Sequence, residues 1–154
     1  GYLKTRMGHK FTLMVDDEVF SQSINLAKWN IYMVALADCT FYTFSYLINE
    51  KNLKENDCKE IYLDIIEKEK ANGLSDEVYL KAKKEFLNRF EKINFTKYYL
   101  ENPFKESCLA LYNWAPIADE LKILDKEIVL NSMRLKWNLK VDEFKNLTKK
   151  LNFD

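Results

Sequence analysis

Between Trp29 and Ile48 the chain carries one charge, Asp38, among twelve large apolar or aromatic residues. No other segment of the 154 is as apolar or as aromatic. It holds neither Gly nor Pro, so a helix can run through it without a strong kink. Upstream the pattern is amphipathic, with Val19, Phe20, Ile24 and Ala27 on one side. From Ile31 onward apolar residues occupy every face, which is the signature of a helix surrounded by others. Asp16 and Asp17 precede it and Glu18 opens its first turn, where carboxylates meet unpaired N–H groups and the positive end of the dipole. The reading is a central helix over about residues 17–49.

A single membrane span is the rival for the same stretch, since about 20 apolar residues suffice to cross a bilayer. Asp38 would then sit near the bilayer centre, at a cost of about 2.5 to 3.5 kcal/mol even on lenient insertion scales. Thr40, Thr43 and Ser45 also interrupt the run, and no second span offers the aspartate a partner. A core helix is therefore expected, and no membrane span.

Later segments supply the helices to wrap around it. Asp57 and Glu60 have the spacing of a capping box, and the stripe that follows is Cys58, Ile61, Tyr62, Ile65 and Ile66. Asn72-Gly73 closes that helix, and Ser75 caps the next, with Leu74 and Tyr79 placed to staple across the cap. Val78, Tyr79, Ala82, Phe86, Leu87, Phe90 and Ile93 repeat at helical spacing, so residues 57–93 read as a helical hairpin. Asn94 to Asn102 is a break with a short helical turn. Asn102-Pro103 opens a further helix, and Pro116 breaks or kinks it near Trp114. A long helix from about Ile117 is expected to turn Leu121, Leu124, Ile128, Met133 and Leu135 inward, and Phe144, Leu147 and Leu151 form a last stripe. Whether Leu124 to Leu151 is one helix or two stays open at this level.

The fold expected is all-α: a compact bundle of about five or six helices around the buried central one. Residues 16–154 form a single helical domain, and residues 1–15 an extended N-terminal arm or tail. Hydrophobic residues at 47% are ample for one core at this length. With 24 Lys and Arg against 24 Asp and Glu, the net charge is zero and gives no general pull toward nucleic acid. No nucleic-acid partner is expected. Three scattered cysteines, Cys39, Cys58 and Cys108, make neither a disulfide framework nor a zinc set, which points to an intracellular, reducing compartment.

Catalytic templates fail for want of residues. His9 is the only histidine, and it lies in the arm. A Ser-His-Asp or Cys-His site has no nucleophile motif to use, and the di-iron bundle needs two Glu-x-x-His motifs that do not occur. Glycines at 1, 8 and 73 cannot build a phosphate loop. No catalytic residue, metal or cofactor is assigned, and the chain is read as leaning away from an enzyme. An enzymatic reading would need carboxylates such as Asp119, Glu120 or Asp125 to converge, yet their spacing is also that of a solvated helix face.

Two readings remain. The first is a noncatalytic protein-interaction or structural module, an accessory subunit of a larger assembly with a protein partner or a second copy. Phe11 and Leu13 of the arm, and Trp114 at the expected kink, are its candidate contacts. The second is a helical small-molecule or lipid binder, with a pocket at Asp38 lined by Met33, Tyr42 and Tyr46. The structural account of Asp38 is simpler: a buried carboxylate finds a lysine, arginine, tyrosine or Trp N–H on a packing helix.

Overall fold

The computed structural model describes residues 18–114 and 119–151, without the side chains of 119–125 and 129. Among them are five α-helices and no strand: α1 Glu18–Lys51, α2 Asn56–Glu69, α3 Asp76–Lys92, α4 Lys105–Trp114 and α5 Asp119–Thr148. The chain is the all-α bundle its periodicity implies. The extended arm expected over residues 1–15 lies outside the described residues, and so does the break at Pro116.

α1 is the axis. Asn52 takes a left-handed conformation (φ 58°) just past its end, and Leu53 N–H returns to the Leu47 carbonyl at 3.4 Å. α2 therefore runs back along α1, bringing Tyr62 to Met33 and Glu69 to the Tyr32 hydroxyl. A 3-10 turn over Lys70–Asn72 and Gly73 at φ 100° reverse the chain again. Leu74 N–H bonds the Glu69 carbonyl at 3.1 Å, a closure that needs the left-handed residue between them. Ser75 Oγ then accepts from Val78 N–H at 3.3 Å, the cap expected for α3. α3 runs parallel to α1: Lys81 meets Asn30, and eight residues on, Arg89 meets Asp38.

The core lies between α1 and this hairpin. Phe86 is stacked between Tyr62, with ring centroids 3.8 Å apart, and Phe41, 4.7 Å apart. Cys58, Ile66, Leu74, Val78, Ala82 and Phe95 are buried around them. Two details of the hairpin differ from expectation. Ile61 is exposed, because the buried stripe of α2 is the narrower Cys58–Tyr62–Ile66. The Asp57–Glu60 capping box is not formed either; the N-cap is Glu55, two residues earlier, and it makes no side-chain cap.

α4 descends antiparallel to α1 on its other side, starting at Lys105 after a turn through Pro103 and Phe104. α5 rises beside it as one helix from Asp119 to Thr148, which answers the open question of one or two. Its packed residues are an aromatic set. Trp137 stacks on Phe104 at 4.2 Å, and Phe144 meets Tyr42 and Tyr46 edge-on at 5.6 and 5.5 Å. Leu130 and Thr148 are buried on the same side.

This corrects the expected register of α5. Ile128 and Leu135, assigned inward, are exposed, and so are Leu147 and Leu151. The helix carries two apolar stripes, and the aromatic one wins the core because rings bury more area per residue. Leu121 and Leu124 belong to the side chains not described.

α1 is also long and apolar enough to cross a bilayer by composition, but half of its apolar window, 50%, is buried by the helices around it. That packing is what a central core helix requires.

Candidate functional site

Three features stand apart from ordinary packing: the surroundings of Asp38, a cleft beside it, and the outward face of α5.

Asp38 sits mid-way along α1 with 0% exposure. One carboxylate oxygen accepts from Arg89 Nη2 of α3 at 2.5 Å and from the Tyr98 hydroxyl at 3.2 Å. The other accepts from the Ser107 backbone N–H at 2.7 Å and from the Ser107 hydroxyl. The Tyr98 hydroxyl has one proton, shared between Asp38 and the Pro103 carbonyl, and its oxygen accepts from Arg89 Nη2 at 3.3 Å; the Arg89 guanidinium lies over the Phe41 ring at 4.9 Å. One carboxylate thus joins α1, α3, the turn over 94–103 and the first turn of α4, where its charge also meets the positive helix end. Burial, then the Asp38 charge, push the Tyr98 phenol well above its ordinary range. Burial would lower the Arg89 guanidinium, but Asp38 overrides it and the shift is upward. Both groups keep the charge state that the network needs.

The pocket expected around Asp38 gives way to this arrangement, since both oxygens are taken up by protein donors. Its proposed lining is also split. Tyr42 and Tyr46 belong to the aromatic contact with α5, and burial raises the Tyr42 phenol to about 12. Met33 faces the opposite side, toward α3. There it lines a half-open cleft of about 360 Å³, with Val34, Ala37 and Phe86 on the walls and Lys81, Glu85 and Arg89 at its edge. The cleft is one residue removed from Asp38, through Arg89.

The outward face of α5 was missed as a surface. Ile128, Leu135 and Leu139 are 55%, 64% and 59% exposed. At 100° per residue they fall within about 40° of one another, diametrically opposite Leu130, Trp137 and Phe144. Asn131 and Ser132 lie between them on the same side. The stripe is about 16 Å long at the helical rise. The signal for it was present in the sequence: Ile128 and Leu135 are a heptad apart, and Leu139 adds the next turn.

The other interaction candidates do not gather here. Trp114 is half-buried, with the Lys81 ammonium 5.0 Å above its ring, so it is not the exposed anchor expected. Phe11 and Leu13 lie outside the described residues. So do the side chains of Asp119, Glu120 and Asp125. Among the described residues no three His, Cys, Asp or Glu side chains are grouped to hold a metal ion. The Cys39 and Cys58 thiols are pushed up by burial to about 11 and about 12, away from thiolate chemistry at neutral pH.

No family model, curated protein or solved structure matches this chain.

Proposed function

We propose that the chain is a noncatalytic protein-interaction module, an accessory subunit that docks through the outward face of α5. One observation carries this reading: Ile128, Leu135 and Leu139 form an apolar stripe facing solvent on a helix whose other face packs Leu130, Trp137 and Phe144 against the bundle. Scattered exposed apolar residues are ordinary, but three in register on a rigid helix make a seam of the kind that receives another helix. The interior supports the same role. The Asp38 network ties its donors from α3, the 94–103 turn and α4 to one side chain, which suits a rigid scaffold.

The test is native mass spectrometry of the protein isolated gently from its own source. A complex of defined stoichiometry is expected, lost on the double substitution Leu135→Gln, Leu139→Gln, with helicity and melting temperature unchanged. A bare monomer, or a complex indifferent to the double substitution, would sink the reading.

The cleft supports a second reading, a small-molecule or lipid binder. Its walls are apolar, and Lys81, Glu85 and Arg89 at its edge could orient a polar group. That reading expects a small adduct on the isolated monomer, and expects Val34→Trp to expel it.

A further inference from the structure

Resting on the second of these readings, we infer that the cleft beside Asp38 binds a small cationic amphiphile, an organic ammonium with a short apolar body. The space has a cause in the sequence. Ala37 of α1 and Ala82 of α3 line it, and each has bulky neighbours one turn away on either side, Met33 and Phe41 on α1 and Val78 and Phe86 on α3. The two alanines leave a gap between larger side chains. At about 360 Å³ it lies at the small end of the range for ligand sites, about 300 to 1,000 Å³.

Side chains bridge both ends of the cleft. At one end Lys81 Nζ donates to Asn30 Oδ1 at 3.1 Å and lies 5.0 Å from the Trp114 ring centroid, so it spans α1, α3 and α4. At the other, Arg89 and Ser107 meet on Asp38. Lys81 and Arg89 are eight residues apart on α3, about 12 Å at the helical rise. A slot of that length suits a short molecule. A peptide, by contrast, lies along a groove open at its ends.

Charge decides the head group. Both cations at the edge are engaged, Lys81 with Asn30 and Trp114, and Arg89 with Asp38 and Tyr98. Glu85 of α3 and Glu106 of α4 line the same cleft and are exposed. Glu106 lies in the field of Arg89, and Glu85 acts on Tyr62. Neither carboxylate makes a hydrogen bond or an ion pair among the described residues. With Arg89 neutralised by Asp38, Lys81 stands against these two carboxylates, and the lining is left with an excess of negative charge. An ammonium beside Glu85 and Glu106 offsets that excess, whereas a carboxylate or phosphate adds to it.

The probes are octylammonium, octanol and octanoate, one chain with three heads, titrated calorimetrically into the full chain at pH 7, where the amine is charged. Octylammonium should bind about fivefold more tightly than octanol and about tenfold more tightly than octanoate, with both gaps narrowed by added salt. Glu85→Gln with Glu106→Gln, both at exposed positions, should bring octylammonium to the level of octanol and leave octanol unchanged. Val34→Trp should abolish binding of both. Octanol or octanoate binding as tightly as octylammonium overturns the cationic ligand, and so does a preference that survives the two Gln substitutions.

The outcomes separate this inference from the reading it rests on. If the three probes bind alike and Val34→Trp expels them, the cleft stands as a binding site and the cation falls. If none binds, or all bind regardless of Val34→Trp, the small-molecule reading falls with it.

Discussion

The two long helices, α1 with 34 residues and α5 with 30, differ in what their apolar side chains do. α1 is wrapped: Trp29, Met33, Phe41, Phe44 and Leu47 are buried, and even its one mid-helix charge is enclosed. α5 is two-faced, with an aromatic side inward and a leucine and isoleucine side in solvent. Length does not separate them. Charge spacing does: α1 carries one charge between Trp29 and Ile48, whereas α5 has Lys, Arg, Asp or Glu at most turns, so no arrangement could bury it all round. Centrality in this bundle belongs to the stretch from Trp29 to Ile48, which has no charged flank to keep wet.

The sharpest way to break the comparison is to damage the packing around α1. Phe86 is the middle ring of the Tyr62–Phe86–Phe41 stack and is 1% exposed. Phe86→Ala should cost about 4 kcal/mol, the sum of lost burial and an unfilled cavity. Urea unfolding monitored by circular dichroism reads this directly. A loss below about 1 kcal/mol would mean that the stack is not where the stability lies.

Asp38→Asn comes next. It keeps the shape but leaves the Arg89 guanidinium beside a neutral amide, with Ser107 and Tyr98 still pointing at it. Removing one side of a buried pair costs about 3 to 5 kcal/mol, and Arg89 retains some access to water, so about 3 is expected. A double-mutant cycle with Arg89→Met isolates the pair from the packing. If the two substitutions prove additive, Asp38 is held by Ser107 and Tyr98 alone.

Raising the pH tests the same interior without a substitution. Burial raises the Cys39 thiol from 9.0 to about 11 and the Cys58 thiol from 9.0 to about 12, and it raises the Tyr42 phenol from 10.0 to about 12. In each case the folded state holds a proton that the unfolded chain releases first. Stability is then whole below pH 9 and falls as pH rises from about 9 toward 12. The melting temperature should be flat from pH 7 to 9 and decline above it. Cys58→Ala should make the first part of the decline shallower. A melting temperature unchanged up to pH 11 would show that these groups are not buried as described.

The sequence made most of α1, α2 and α3 legible, because there one signal answered each question. A single apolar stretch without Gly or Pro marked the axis, Asn72-Gly73 and Ser75 marked the reversal, and one stripe from Val78 to Phe90 marked the face of α3. α5 was harder because it offers two stripes at helical spacing. Periodicity shows that both are helical, not which one meets the core. The choice depends on partners elsewhere in the chain, Phe104, Tyr42 and Tyr46, whose position is fixed only by the fold. Asp38 was legible as a residue needing a partner. The identity of that partner, Arg89 fifty-one positions on, depended on the parallel register of α1 and α3, which no local pattern encodes.

The smallest effect is the one that sharpens the comparison most, and it lies within α5 itself. Leu135 and Trp137 are two residues apart and point to opposite sides, one 64% exposed and the other stacked on Phe104 at 4.2 Å. Trp137→Ala removes the stack and should cost about 2 kcal/mol, below the value for a fully enclosed ring because Trp137 is half-buried. Leu135→Gln exchanges one solvent-facing side chain for another of good helix propensity, so stability should change by less than about 0.5 kcal/mol. A conserved melting temperature for Leu135→Gln would mean that the outer stripe contributes nothing to the isolated fold. Its apolar character would then need a partner to explain it. A loss of 1 kcal/mol or more would mean instead that the stripe is already covered within the chain, and the contrast between the two faces of α5 would disappear.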